Sequence, residues 1–244
     1  MKSKSYPWSE HRAECLSEML GTYLLVFFGP ASVIVVSLVP SLTSLGSLAL
    51  VALAFGCVVA CVIMTLGRFS GAHINPAITL ASSLSGTFRR GLLLPYVAFQ
   101  VMGGLLAGLS LKVVFGSIAP SVDLGSTKLA VGITPVEGIA LEAVGTFVLS
   151  LTVLLVAHSI RNRVRQAILV GATLSVLVLF FAPLTGASFN PARSLGPSVF
   201  SGFFANQVMY WVGPLLGAAC AGLIFRALKK TRGRNERLGT VRVR

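Results

Sequence analysis

Ser70-Gly71-Ala72-His73-Ile74-Asn75-Pro76-Ala77 returns in the same chain as Thr185-Gly186-Ala187-Ser188-Phe189-Asn190-Pro191-Ala192. Five of the eight positions are identical and a sixth exchanges Ser for Thr, which marks an internal duplication. The copies extend outward on both sides. Upstream, Glu18-Met-Leu-Gly21-Thr22 matches Glu142-Ala-Val-Gly145-Thr146, and downstream Gly103-Gly104-Leu-Leu-Ala-Gly108 matches Gly213-Pro214-Leu-Leu-Gly217. Glu and Asn lie 57 residues apart in the first copy (75 minus 18) and 48 in the second (190 minus 142), so the connections differ in length.

Composition sets the solvent in which this repeat folds. Hydrophobic residues make up 55% of the 244 and charged residues 11%, with mean hydropathy +0.85. That is an integral membrane composition. A helix needs about 20 apolar residues to cross the hydrocarbon. Six stretches reach that length: roughly 15–39, 46–66, 91–115, 134–157, 166–184 and 205–228. The first is too long for a signal h-region and is read as retained. The boundaries are then an N-terminal tail 1–12, a membrane domain 13–228 and a basic C-terminal tail 229–244.

The net charge of +13 is informative through its placement. Lys2, Lys4 and Arg12 precede the first span; Arg68, Arg89 and Arg90 lie between the second and third, and Arg161, Arg163 and Arg165 between the fourth and fifth. Eight more run from Arg226 to Arg244. Threading six spans puts all four clusters on one side, leaving Lys112 and Lys128 opposite and Arg193 inside an apolar stretch. The positive-inside rule makes that side cytoplasmic, with both termini there. Basic tails of this kind attract anionic lipid headgroups. No aromatic residues interleave the tail's cations, which argues against a nucleic-acid partner.

Each half holds three spans, and an odd number forces the halves into opposite orientations. The repeat is therefore inverted, with its two-fold axis in the membrane plane and a site between the halves. Each octapeptide is followed by an apolar run, Pro76 to Gly86 and Pro191 to Gly202, too short to span. Half the hydrocarbon, about 15 Å, takes about 10 helical residues. Asn is a favoured N-cap and Pro a favoured first helical residue, so each Asn-Pro starts a half-helix. The expected fold is all-α: six transmembrane helices plus two re-entrant half-helices meeting start to start at the midplane. If the Asn75 and Asn190 side-chain oxygens cap their helices, each amide NH2 stays free to donate into a cavity. A water held by both points its own hydrogens outward, so a water chain cannot relay a proton through the centre. Two helix N-termini add about half a positive charge each against cations.

The paired Asn-Pro-Ala half-helices on an inverted three-plus-three repeat resemble the aquaporin, or major intrinsic protein, family from Glu14 to about Leu228. The stretch Gly186 to Pro197 is most similar to the nodulin-26-like and related microbial branches. The resemblance implies a passive channel conducting water and excluding protons and ions, assembled as a homotetramer, while the short tails without targeting motifs suit a plasma membrane or bacterial inner membrane. It implies pore motifs Asn75, Pro76, Ala77, Asn190, Pro191 and Ala192, and an outer selectivity filter of Phe55, Val178, Ala187 and Arg193. Leu25, Val59, His73, Leu149 and Leu174 would line the pore. Two signals on solute range disagree. Val178 stands where strict water channels carry His, which widens the filter for glycerol or metalloid acids. Ser194 stands where glycerol-conducting relatives carry Asp, and Tyr210-Trp211 resembles the water-selective pair. Water ranks first, with small neutral solutes as added cargo.

Glu18 and Glu142 read as proton-relay groups or, by preference, as acceptors that hold the re-entrant loops. The small-residue runs on the third spans allow close helix packing. Cys15, Cys57, Cys61 and Cys220 fall in or beside spans and read as buried packing residues. A secondary transporter usually needs an ionisable relay at the midplane, and no Asp lies in any span. A non-conducting junction protein is the remaining alternative. Three scattered His residues offer neither a catalytic constellation nor a metal site, so no enzyme activity and no cofactor is expected.

Overall fold

The computed structural model describes residues 8–39, 41–118 and 120–241. Lys2, Lys4, Arg242 and Arg244 of the basic clusters lie outside the described residues. The helices are α1 (Trp8–Ser37), α2 (Ser44–Ser70), α3 (Pro76–Ser85), α4 (Leu93–Phe115), α5 (Pro135–Ser159), α6 (Arg163–Thr185), α7 (Pro191–Ser201) and α8 (Gln207–Val241). Six are long and apolar enough to cross a membrane, while α3 and α7 are the two half-helices.

The duplicated octapeptide encodes one stop and one start. Its Gly, Gly71 or Gly186, is the left-handed cap of α2 or α6, at φ 88° and 74°. Its Asn is the N-cap of α3 or α7, with Pro at the first helical position. Only Gly takes the left-handed cap without steric cost, and Asn supplies a short side-chain acceptor for the helix start. Gly86 and Gly202 then end the half-helices in the same way.

The halves interlock rather than sit side by side. Within each, the first span packs on the second and third, α1 on α2 and α4, α5 on α6 and α8. Across them, α7 packs on α4 and α3 on α8. Each half-helix therefore docks on the third span of the other half. Glycines on the third spans make this possible. A Cβ at Gly104 would lie 2.6 Å from the Ala192 carbonyl oxygen in α7, and one at Gly222 2.5 Å from that of Ala81 in α3, whereas Gly213 lets α8 approach Ile139 of α5 in its own half. The second spans cross through Gly56 and Gly171, where a Cβ on Gly171 would lie 2.6 Å from the Gly56 carbonyl oxygen. This pair shares the 115-residue offset of Asn75 and Asn190 (171 minus 56, 190 minus 75), so both pairs are related by the repeat.

Two expectations change. The helices overrun the apolar stretches: α1 begins at Trp8, inside the N-terminal tail, and α8 runs to Val241, well into the basic tail. Apolar length counts the hydrocarbon, whereas helical hydrogen bonding continues through the interface. Of the four cysteines only Cys15 is buried; Cys57, Cys61 and Cys220 are exposed. In a membrane protein an apolar side chain gains nothing by facing inward over facing lipid, so hydrophobicity does not predict burial.

Candidate functional site

The two re-entrant loops have the same unusual backbone. Ala72 and Ile74 in one, Ala187 and Phe189 in the other, adopt left-handed φ of 51°, 45°, 46° and 51°. Each costs about 1 kcal/mol for an L-residue, so something must hold them. Two fully buried carboxylates do so. Glu18 accepts from the His73 and Ile74 N–H groups at 2.9 and 2.5 Å and from the Gln100 amide at 2.7 Å. Glu142 accepts from the Ser188 and Phe189 N–H groups at 3.0 and 2.7 Å and from the Thr185 hydroxyl at 2.7 Å. The Ser/Thr exchange is explained too. The Ser70 and Thr185 hydroxyls accept from the Ala72 and Ala187 N–H groups at 3.1 and 3.2 Å.

Asn75 and Asn190 each bond in two directions. Asn75 Oδ1 accepts from the Ala77 N–H at 2.8 Å; Asn190 Oδ1 accepts from Ala192 and Arg193 at 3.0 and 3.3 Å. The amide groups are not wholly free, contrary to the sequence expectation. Asn75 Nδ2 donates to the Phe189 carbonyl at 2.8 Å, and Asn190 Nδ2 to the Ile74 carbonyl at 2.9 Å. One N–H of each amide thus staples its loop to the other. An NH2 has two hydrogens, so one remains on each.

That second hydrogen matters because both Asn residues line a cavity. Leu25, Val59, His73, Leu149 and Leu174 line it as well, an apolar wall broken by few polar groups. At one end are His73 and Gln166, at the other Phe55, Ala187 and Arg193. A second cavity, lined by Val51, Gly125, Val178 and Gly186 among others, shares Phe55 and Arg193 with the first. Those two side chains form the partition between the cavities. Arg193 is 3% exposed, donates Nη1 to the Gly125 carbonyl at 3.0 Å, and sits 5.0 Å over the Phe55 ring.

His73 is more tightly held than a free vestibule residue. Its Nδ1 is 3.2 Å from the Thr79 hydroxyl and its ring packs edge-on against Phe88. Ser194 lines neither cavity: it is fully buried, with its hydroxyl against those of Ser188 and Thr127. Sequence reading missed Gln100, Tyr96, Thr127 and Gly125. Gln100 had a signal, a fully buried amide in an apolar span. Tyr96 and Tyr210 cap the Ser70 and Thr185 carbonyls at 3.1 and 2.7 Å, but from positions that do not align in the repeat. Gly125 contributes only a backbone carbonyl, which no residue type announces. Among the described residues no group of His, Cys, Asp or Glu could hold a metal.

Residues 5–225 match the family described as Major intrinsic protein. Aquaporin NIP1-2 of Oryza sativa subsp. japonica is 34% identical over 236 residues, covering 93% of this chain and 76% of the relative. Probable aquaporin AqpM of Archaeoglobus fulgidus is 33% identical, covering 88% and 96%. The X-ray structure of the aquaglyceroporin from Plasmodium falciparum superposes with TM-score 0.77 at 22% identity, over 89% of this chain and 94% of that one, a likeness of fold. An inverted repeat with two stapled half-helices, a family match over nearly the whole chain and relatives of this identity lead to one conclusion: the chain belongs to the major intrinsic protein, or aquaporin, family, whose members are membrane channels rather than enzymes.

Proposed function

We propose that this multi-pass membrane protein is a passive channel for water that excludes protons and ions and also admits small neutral solutes such as glycerol. The observation that carries this reading is the cross-stapled pair Asn75 and Asn190, each with one amide hydrogen left at a mostly apolar cavity. A water there accepts from both amides through its oxygen. Its hydrogens then point away along the two arms, and no hydrogen bond runs continuously in one direction through the centre. Two helix N-termini and Arg193 add positive potential against cations and hydronium, as in channels of this type. Glu18 and Glu142 act as loop anchors: three bonds each from loop and neighbours leave them committed, which supports anchoring over proton relay.

The filter is assigned to Phe55, Val178, Ala187 and Arg193. Phe55 and Arg193 at the partition of two cavities support it, with Ala187 lining the first and Val178 the second. The same reading takes residues 13–228 as the channel domain between tails 1–12 and 229–244. It puts both termini in the cytoplasm from the charge placement, assigns the protein to a plasma membrane or bacterial inner membrane, and takes a homotetramer with one pore per subunit from family resemblance.

Purified protein in liposomes, followed by stopped-flow light scattering, tests the proposal. Water permeability well above that of empty vesicles is expected; equality with them ends the channel reading. Val178→His places a polar side chain at the filter and is expected to cut glycerol flux while water flux persists. Unchanged glycerol flux would remove Val178 from the filter.

A further inference from the structure

Arg193 is held by a strap that comes from the far side of the sequence. Residues 123–128, in the connection between α4 and α5, cross beside the start of α7. The strap is strained at Asp123 and Leu124, left-handed at φ 44° and 55°, and Gly125 follows at 70°, a conformation glycine takes freely. Strain of this kind persists only when surroundings over-determine it, and it gathers at functional positions. Here Leu124 is buried with Ile34 and Leu111, and Gly125 is pressed so close to Pro30 that a Cβ would lie 2.8 Å from its carbonyl oxygen. Asp123 pairs with Lys128, and the Ser126 hydroxyl meets that of Ser201 at 3.1 Å.

Two rungs join the strap to the first turn of α7. Gly125 accepts from Arg193, and Thr127 donates its hydroxyl to Ser194 at 3.2 Å. Ser194 also meets the Ser188 hydroxyl, which donates to the Asn190 carbonyl at 3.0 Å. Thr127 and Ser194 are fully buried and touch neither cavity. Among the described residues the Arg193 guanidinium makes no other hydrogen bond, and its buried Nε has no partner.

We infer that Thr127 and Ser194 are positioning residues of the filter: their hydroxyl pair fixes the strap so that the Gly125 carbonyl holds the Arg193 guanidinium against the wall. This rests on the assignment of Arg193 to the filter. Without the pair, the strap relaxes, the Gly125 carbonyl withdraws, and the guanidinium donates instead to water in the lumen. A side chain drawn into the lumen obstructs it. Residue 194 therefore influences permeation through Arg193 and not by touching solute.

Stopped-flow measurements on reconstituted full-length protein test this. Thr127→Val and Ser194→Ala are each expected to lower water permeability per channel about threefold to tenfold, the scale of one hydrogen bond's net worth. Glycerol flux falls further because the larger solute needs the full opening. The double variant should be no worse than either single one, since both break the same rung. Thr127→Ser should restore conduction. In an Arg193→Val background, Thr127→Val should have no effect on permeability. Unchanged permeability in Thr127→Val and Ser194→Ala overturns the inference, as does an equal loss with and without Arg193, which would mean a merely structural role. If Thr127→Val fails to fold, Ser194→Ala in both backgrounds carries the same test. A parent protein that conducts no more than empty vesicles refutes the channel reading instead, so the two failures are distinct.

Discussion

The loop at 70–77 and the loop at 185–192 share a backbone, a buried Glu anchor and an Asn staple, yet only the second is followed by a buried arginine. Arg193 lies three residues past Asn190; the matching residue three past Asn75 is Ile78. Around the first loop the surroundings are aromatic and amide: His73 among Phe88 and Tyr96, Gln100 on Glu18 and Thr79. Around the second they are hydroxyl and strap: Thr185, Ser188, Ser194, Thr127 and the Gly125 carbonyl. What the halves share builds the symmetric centre, and what they do not share is, on the proposed reading, what would make one end of the pathway selective. Symmetry suits proton exclusion, which needs water turned about a midpoint, whereas one constriction suffices for sorting solutes.

The largest expected effect comes from breaking the shared part. Glu142→Leu deletes the acceptor for two loop N–H groups and a threonine hydroxyl, all buried. Each orphaned donor costs about 1–3 kcal/mol, which together approaches the whole stability of a folded domain. Little folded protein should be recovered by size-exclusion chromatography in detergent. Recovery with near-parental thermal stability would show that the loop does not depend on its carboxylate.

Breaking the unshared part should leave the fold intact and change what passes. Arg193→Val makes residue 193 resemble Ile78 and removes the cation beside Phe55. Glycerol and urea permeability relative to water should rise by about tenfold, within the range a single side chain contributes to discrimination. Light scattering under solute gradients reads this directly. A ratio equal to the parent's would mean that the partition at Phe55 and Arg193 is not the selective barrier.

Much of this contrast is written in the sequence, because the octapeptide specifies local chemistry: a Gly that ends one helix, an Asn-Pro that starts the next, and an odd span count that inverts the copies. Arg193 stands out as a charge in an apolar stretch. The strap does not, since its contribution is a carbonyl at Gly125 and a hydroxyl at Thr127, groups whose partners exist only after the chain folds. The cross-staple was hidden for the same reason. Asn75 and Asn190 have spare donors on paper, and only the approach of the Ile74 and Phe189 carbonyls shows where half of them go.

The smallest effect distinguishes the two anchors themselves. Gln100 donates to Glu18 at 2.7 Å and to Thr79 at 2.9 Å, but its own buried Oε1 accepts nothing. The third-span alignment through Gly103 and Gly213 sets Tyr210 against Gln100, and Tyr210 bonds the Thr185 carbonyl rather than Glu142. Glu142 therefore manages without an amide from its third span. Gln100→Leu removes one bond to Glu18 and, with it, an unsatisfied acceptor, while the His73 and Ile74 N–H groups keep their carboxylate. The loss and the relief largely offset, so stability should fall by no more than about 1 kcal/mol. Thermal unfolding in detergent measures it. A loss as large as that of Glu142→Leu would mean that the first loop is held chiefly by the amide, and that the two anchors, alike in geometry, differ in what they depend on.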